Sequence, residues 1–324
     1  MRKYKFLLIG ALVLSLAACG EEKETVETSA NSNSTEEVEQ NETVVDVKPV
    51  TFKDALGYDH EFEAVPGSIA TLNPGIMDIL LELDANIIGR PTIHADMSSE
   101  IQAIQEIGNP HEPSFEQIVS LNPEVLIVPP SFQRFASTLE ATGIKVVYEN
   151  MDSLEGIKET ITRYGEVFGN VEKAKQLIAE IDSAATKSTD STKKALIVYG
   201  APGTYLAALD NSLYGDILKA AGGNNIAADL PALDKYPTYA SLSAEKIVEG
   251  NPQIIMLITH SDPNVVKEGF ETQMNENAAW KNLDAVKNGQ IIILPSQLFD
   301  NPGTQVVEAL DYMRDLLEKA EATN

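Results

Sequence analysis

The stretch SFEQIVSLNPEVLIV (residues 114–128) has a second copy in the chain, SAEKIVEGNPQIIML (residues 243–257). Both copies read S-x-E-x-I-V-x-x-N-P, continue with apolar residues, and start 129 residues apart. In each copy the serine is suited to cap a helix, and the Asn-Pro pair is suited to end that helix before a buried strand. A repeated unit of helix, tight turn and strand predicts two similar lobes.

Short β-branched runs alternate with helical patterns along the rest of the chain. The runs that predict strands are IIGR (87–90), VLIV (125–128), KVVY (145–148), ALIVYG (195–200), IIMLI (254–258) and IIILP (291–295). The segments with helical spacing include GIMDILLELDA (75–85), SLYGDILKAAG (212–222) and TQVVEALDYMRDLLEKA (304–320). This alternation predicts an α/β fold of two Rossmann-like lobes with parallel sheets.

The segment between the lobes, residues 153–188, has apolar residues at helical spacing. It predicts a single long bridging helix, with an interruption near Gly169 and Asn170. The expected boundaries are an N-terminal lobe over residues 50–151, the bridging helix over 152–190 and a C-terminal lobe over 191–324. Lobes joined in this way enclose a cleft, and ligands of open α/β sheets bind beyond the carboxyl ends of the strands.

The N-terminus predicts export and a lipid anchor. Residues 1–18 have a basic head, an apolar run and small residues, which are typical of a secretory signal and too short for a membrane span. Cys19, the only cysteine, follows LAA and resembles the lipidated cysteine of bacterial lipoproteins. Residues 19–49 are rich in Glu, Ser, Thr and Asn and predict a disordered tether. We therefore expect the protein on the extracytoplasmic face of the cell membrane.

The formal net charge of −25 argues against a nucleic-acid partner, because such binding needs clustered Lys and Arg to displace counterions. We attribute the acidity to solubility. The chain has no phosphate loop, dinucleotide glycine signature, HExxH or GxSxG motif. Nothing in the sequence therefore supports an enzyme.

The chain has four histidines. His60, in a turn-rich segment, and His94, after IIGRPT, are expected to be exposed loop residues. His111 lies between two prolines in the loop before the first repeated helix, and His260 follows the strand IIMLI. We expect His111 and His260 at the rims of their own lobes, each facing the other.

A neutral imidazole is a common ligand of transition metals and of haem iron. Two imidazoles are too few for a zinc site made of protein alone, but they suffice if a porphyrin supplies four further ligands. The carboxylate tails of a haem also need an anion site. Asn73 is suited to cap a helix, and the N–H groups of Gly75 and Ile76 are expected to be free for a propionate. Arg90 and Tyr205 are further candidates at strand ends.

The chain resembles the ABC-transporter binding proteins for siderophores, cobalamin and haem from about residue 50 to the C-terminus. Within this group it most resembles the haem receptor lipoproteins of the iron-regulated surface determinant system. The segments that carry the resemblance are VTFKDALGYDHEFEAVPGSIATLNP (50–74), IIGRPT (87–92), EIGNPHEP (106–113), YGAPGTYLAALDNSLYGDILKAAGGNN (199–225) and HSDPNVVKEGF (260–270). It implies a monomer with two bridged lobes that binds one haem b and delivers it to an ABC permease and its ATPase. Upstream haem-donor proteins are a further class of partner.

The resemblance also implies roles for single residues. One axial ligand of the haem iron comes from each lobe, at His260 and at His111, where the haem receptor lipoproteins have a methionine. Two histidines are expected to hold ferric iron at a lower reduction potential than a His/Met pair. Glu116 and Glu245 match positions that dock onto arginines of the permease, although a glutamate in the first helical turn also matches the helix dipole.

Two other functions stay open. A siderophore or cobalamin carrier does not need two facing histidines, and the charge of a ferric siderophore is usually met by several arginines, of which the chain has five. A secreted metal-dependent hydrolase is the other function, with His111, His260 and Glu112 around the metal. Colour separates these cases, because a haem protein is red and a zinc site is colourless.

Overall fold

The computed structural model describes residues 49–93, 97–187 and 193–320. The predicted signal segment, Cys19, the tether up to residue 48 and His94 lie outside the described residues. Within the described ranges, no helix is both long and apolar enough to cross a membrane.

The first lobe contains an antiparallel hairpin and a parallel sheet. The hairpin consists of β1 (Val50–Lys53) and β2 (Asp59–Phe62). The sheet consists of β3 (Ile69–Thr71), β4 (Ile87–Arg90), β5 (Gln105–Glu106), β6 (Val125–Val128) and β7 (Lys145–Tyr148), in the order β5-β4-β3-β6-β7. The helices are α1 (Pro74–Glu82), α2 (Ser99–Ala103), α3 (Phe115–Leu121) and α4 (Ala136–Leu139), with 3₁₀ turns at Pro130–Phe135 and Glu140–Thr142. The predicted parallel sheet is confirmed here.

The connector is two helices, α5 (Leu154–Val167) and α6 (Val171–Ala185), so the prediction of one long helix is wrong. The predicted interruption is present and explains the break. Gly169 has a φ of +71°, a left-handed conformation that glycine adopts without steric cost and that ends a helix.

Helix α6 crosses from one lobe to the other. Near its start, Nζ of Lys173 lies 3.6 Å from Oδ2 of Asp84 in the first lobe. At its end, the carbonyl of Ala184 accepts a hydrogen bond from Arg314 of the second lobe. The second helix of the connector therefore bridges the two lobes.

The second lobe has a mixed sheet. Its strands are β8 (Lys194–Ala201), β9 (Thr204–Ala208), β10 (Asn224–Asn225), β11 (Ala232–Leu233), β12 (Tyr236–Ser241), β13 (Ile254–Ile258) and β14 (Ile291–Ile293). Strands β8, β10, β13 and β14 are parallel, whereas β9, β11 and β12 pair antiparallel. The predicted parallel sheet is thus only part of this lobe. Gly203, with a φ of +79°, allows a two-residue turn that folds β9 back on β8.

Six helices complete the second lobe. They are α7 (Leu213–Ala220), α8 (Ala244–Gly250), α9 (Pro263–Glu276), α10 (Asp284–Lys287), α11 (Ser296–Phe299) and α12 (Val306–Lys319), with 3₁₀ turns at Trp280–Asn282 and Gly303–Gln305. The two copies of the repeat form the same unit, since α3 leads to β6 and α8 leads to β13. The two similar lobes predicted from the repeat are therefore present.

Alternate residues of the central strands enter different cores. In β6, Val125 and Ile127 face the core that contains the connector helices, whereas Leu126 and Val128 face a core on the other side of the sheet. Strands β8 and β13 divide their side chains in the same way. Because the connector packs on one face of both sheets, a single core runs through the two lobes.

The lobes also meet at the start of α1. The side-chain amide of Asn73 donates to Oδ1 of Asn301 at 3.0 Å, and Oδ2 of Asp78 accepts the N–H of Thr304 at 2.8 Å. A Cβ atom on Gly75 would lie 2.6 Å from the carbonyl oxygen of Asn301. The backbones therefore approach so closely that a side chain does not fit between them.

We predict that Gly303→Ala destabilises the protein more than Gly289→Ala. Both glycines have a positive φ (+53° and +64°), so each alanine costs about 1–2 kcal/mol for its backbone conformation. A Cβ on Gly303 also overlaps the carbonyl oxygen of Gly75, whereas nothing lies within 4 Å of a Cβ on Gly289. Urea unfolding of both variants measures the difference. Equal losses of stability would show that the contact between the lobes tolerates a side chain.

Candidate functional site

His260 lies at the carboxyl edge of the second sheet. It follows the end of β13 by two residues, and its side chain is 62% exposed. Its Nε2 lies 3.1 Å from Oδ2 of Asp300. Oγ1 of the buried Thr259 accepts the N–H of Ser261 at 3.0 Å, which shapes the loop on both sides of the histidine. The imidazole is thus held where ligands of α/β sheets bind.

Asp300 controls the electrostatics around this histidine. Its hydrogen bond to His260 raises the pKa of the imidazole above the ordinary 6.5, against the opposing effect of burial. The other oxygen of the same carboxylate accepts the hydroxyl of Tyr214 at 2.9 Å. Burial, and then the charge of Asp300, raise the pKa of Tyr214, so its hydroxyl stays protonated and donates.

An aromatic wall continues from His260. The ring of Tyr199 meets the imidazole edge-on at 5.7 Å, and the ring of Tyr239 lies 5.8 Å from Tyr199. Burial raises the pKa of Tyr239 to about 12. The second lobe therefore presents neutral aromatic side chains beside an imidazole, which suits a flat, largely apolar ligand.

Four residues of this site were not predicted from the sequence: Tyr199, Tyr214, Tyr239 and Asp300. A signal existed for Tyr199, because it belongs to the run ALIVYG and pairs in register with Ile258, two residues before His260. Carboxyl ends of neighbouring parallel strands lie side by side. Asp300 lies 40 residues beyond His260 in the sequence, and no local pattern connects the two.

Hydrogen bonds within the loop of His111 restrict it in addition to its two prolines. Oδ1 of Asn109 accepts the N–H groups of His111 and Glu112 at 2.9 and 3.0 Å. Gly108 has a φ of +92° and pairs with Pro113 across the loop. A closed turn therefore presents the exposed His111 side chain at the surface of the first lobe.

A guanidinium group lies beside His111. Nη2 of Arg134 is 3.4 Å from Nδ1 of the imidazole, and the guanidinium stacks 4.6 Å above the ring centre of Phe135. Since a guanidinium only donates hydrogen bonds, Nδ1 acts as the acceptor. Phe135 in turn contacts Phe115 and Phe132 at 5.5 Å.

Asp300 borders two cavities that described residues of both lobes line. The larger has a volume of about 410 Å³, which is within the usual range for small-molecule sites. Its walls include Met77, Leu81, Ile93 and Met97 from the first lobe and Gln297, Asp300 and Asn301 from the second. The smaller cavity, of about 220 Å³, includes Asn73, Glu149, Tyr214 and Tyr239. His260 thus contacts the cleft region through Asp300, whereas the described contacts of His111 are to Arg134 and its own loop.

The expected propionate site at the start of α1 is not available. Oδ1 of Asn73 already accepts the N–H groups of Gly75 and Ile76 at 2.9 and 3.2 Å, and all three residues are buried. The same side chain bonds to Asn301 of the other lobe. These residues cap α1 and join the lobes, which corrects the prediction of free N–H groups.

Arg90 and Tyr205 also have internal partners. Arg90 is buried, donates to the carbonyl of Pro91 at 3.0 Å and lies 3.2 Å from Glu106. The hydroxyl of Tyr205 donates to the carbonyl of Val266 at 3.2 Å, with its ring on Phe270. Both side chains stabilise their own lobe in this structure.

The prediction that His60 is an exposed turn residue is wrong. It lies in β2 rather than in an exposed turn, with a side chain only 9% exposed, and its Nε2 is 2.8 Å from Oδ2 of Asp54. Burial raises the pKa of Asp54, but the hydrogen bonds from His60 and from backbone N–H groups outweigh this effect and lower it. This pair stabilises the first lobe.

The proposed hydrolytic centre is not formed. In the parts of the chain that the structure describes, no group of three or more His, Cys, Asp or Glu side chains could hold a metal ion. His111, Glu112 and His260 are therefore not brought together as the ligands of one ion. Glu116 and Glu245 are both exposed, in the first turns of α3 and α8.

A family model described as periplasmic binding protein matches residues 69–298, which include both sheets and the connector. The chain belongs to this family. Among curated relatives, the high-affinity heme uptake system protein IsdE of Staphylococcus aureus is 31% identical over 267 residues. The match covers 80% of this chain and 88% of IsdE.

Solved structures agree with the family. The crystal structure of S. aureus IsdE complexed with heme has a TM-score of 0.67 at 29% identity and covers 78% of this chain and 99% of that one. An ABC transporter substrate-binding protein from Listeria monocytogenes EGD-e has a TM-score of 0.67 at 25% identity, with 78% and 98% coverage. The siderophore binding protein BauB shares the fold at 20% identity, with a TM-score of 0.64 and coverage of 86% and 100%.

We predict that Asp300→Asn lowers the pKa of His260. In the native protein the carboxylate stabilises the imidazolium, so the imidazole titrates above pH 6.5. An amide removes this charge, while the burial that disfavours the imidazolium remains. NMR titration of the histidine ring protons measures the pKa of His260 in the native protein and in the variant. An unchanged pKa in the variant would contradict the assigned role of Asp300.

Proposed function

We propose that the protein binds haem b in the cleft between its lobes and delivers it to an ABC permease and its ATPase for iron acquisition. The observation that carries the proposal is His260. It is an exposed imidazole at the carboxyl edge of the sheet, flanked by the ring of Tyr199 and by Asp300 at the cleft cavities. The 31% identity to a heme uptake protein supports the same ligand.

His260 and His111 are the proposed axial ligands, one from each lobe. Each imidazole exchanges a protein partner for iron. Nε2 of His260 leaves Oδ2 of Asp300 when it binds the metal, and the carboxylate can then accept the N–H of the other ring nitrogen after rotation of the ring. His111 would likewise lose its contact with Arg134. An imidazole that binds iron at one ring nitrogen carries a proton on the other, so Nδ1 would no longer accept the hydrogen bond from Arg134.

The distribution of arginines favours haem over an anionic ferric siderophore. Three of the four arginines in the described residues have carboxylate partners: Arg90 with Glu106, Arg163 with Glu149 and Arg314 with Asp311. Arg134 instead contacts His111 and Phe135. One guanidinium beside a proposed iron ligand suits a propionate, whereas a multiply charged siderophore calls for several.

The anchor completes the proposed function. Residues 1–18 direct export, and lipidated Cys19 holds a monomer at the outer face of the cell membrane. The tether of residues 19–49 lets the two lobes, assigned to residues 50–151 and 191–324, reach both the permease and a haem donor.

We predict that the mature chain, residues 19–324, binds haemin at a ratio of one to one with a shifted Soret band. His260→Ala and His111→Ala should each remove an axial ligand and weaken binding by more than about 100-fold, since loss of an outer partner alone costs about 10–100-fold. Absorbance titration measures the affinity and the spin state.

Two variants are matched controls for this titration. His94→Ala tests whether another histidine contributes, and Met97→Leu tests the thioether that borders the larger cavity. Both should bind as the native chain does. If Met97→Leu weakens binding and His111→Ala does not, the ligand of the first lobe is Met97. If the native chain shows no saturable binding, the haem proposal fails and a siderophore or cobalamin becomes the cargo to test.

We predict that His111→Met raises the reduction potential of the bound haem. A thioether stabilises ferrous iron relative to a second imidazole. Spectroelectrochemical titration of the two haem complexes measures the change. A potential that does not move would show that residue 111 is not an axial ligand.

A further inference from the structure

The repeated helices α3 and α8 have the same structure as well as similar sequences. Each is seven residues long and buries a single side chain, Ile118 in α3 and Ile247 in α8. Each ends on an asparagine in the left-handed conformation, Asn122 with a φ of 46° and Asn251 with a φ of 45°. The two helices therefore share their length, their buried position and their C-terminal conformation.

One apolar residue is exposed in both copies. In the described residues seven large hydrophobic side chains are exposed, and two of them are Val119 at 46% and Val248 at 41%. They occupy the same position of the repeat. A lone exposed valine is ordinary on a protein surface, but the same exposure in two copies indicates a shared use.

Each valine shares a helix face with an exposed glutamate. Val119 follows Glu116 by three residues, and Val248 follows Glu245 by three residues, a spacing that places side chains side by side on a helix. Within the described residues neither glutamate forms an ion pair. The lysine of α8, Lys246, is paired with Glu249 at 2.8 Å. Each helix therefore presents one net negative charge beside an apolar side chain.

We propose that Val119 and Val248 are docking residues for the permease, each forming a two-part contact with the neighbouring glutamate. This inference rests on the proposed delivery of ligand to an ABC permease. Two copies of one surface match a partner with two equivalent subunits. Each subunit supplies a basic side chain for the glutamate and an apolar socket for the valine. The charges guide the encounter, and burial of the valines slows dissociation.

The test uses the mature chain and the permease–ATPase complex of the same cell in lipid nanodiscs. Val119→Thr and Val248→Thr keep the branched shape and add a hydroxyl, so each should weaken binding about fivefold through faster dissociation, and the pair about 25-fold. Val171→Thr, at a valine 39% exposed at the start of α6, is the matched control and should bind as the native chain does.

Salt separates the two parts of the contact. Glu116→Gln and Glu245→Gln should slow association and reduce its dependence on ionic strength, whereas the valine variants should leave that dependence unchanged. The inference is overturned if the glutamate variants weaken binding while both threonine variants bind normally. It is also overturned if only one valine matters, because the partner then does not use equivalent contacts.

The proposed function fails in distinguishable ways. If the native chain does not bind the nanodisc complex with or without haemin, permease delivery is wrong, and the docking role falls with it. If the native chain binds the complex and the valine variants bind it more weakly as predicted, but haemin never binds, the docking role stands and only the cargo changes.

Discussion

The close contact between the start of α1 and the segment that leads into α12 fixes the geometry on which the site depends. Gly75 packs against the backbone of Asn301, and the polar groups of Asn73 and Asp78 bind Asn301 and Thr304. The lobes are therefore joined in two places, by this contact and by the shared core under both sheets. The lobes therefore enclose cavities of defined walls, and we expect their relative motion to be small.

The same segment connects this contact to His260. Asp300 binds the histidine and the hydroxyl of Tyr214, and the next residue binds Asn73 of the other lobe. Asp300 therefore lies directly beside the junction of the lobes while it binds His260.

Much of the fold could be predicted from the sequence. The runs IIGR, VLIV, KVVY and IIMLI coincide with β4, β6, β7 and β13. The clearest are VLIV and IIMLI, because strands buried along their whole length read as continuous apolar segments. Strands β9 and β12 were not among the predicted strands, and they add antiparallel pairs to the second sheet after a turn at Gly203 folds β9 back on β8. The break at Gly169 was predicted from the sequence, and the structure has one connector helix on each side of it.

The site was harder to predict, because its contacts join residues far apart in the chain. Asn73 reads as an ordinary helix cap, and its bond to Asn301 spans 228 residues. His260 and His111 remain predicted ligands, chosen because His260 follows a strand end and His111 lies in the loop before the first repeated helix. Asp300 and Arg134, which bind the two imidazoles, have no local signature.

The most direct test of two histidine ligands from two lobes is electron–nuclear double resonance of the ferric haem complex, prepared with ¹⁵N-labelled histidine. We predict a low-spin iron coupled to two labelled imidazole nitrogens. The coupling to one of them should disappear in His111→Ala, and the coupling to the other in His260→Ala. A high-spin iron, or a single labelled nitrogen in the native complex, would contradict it.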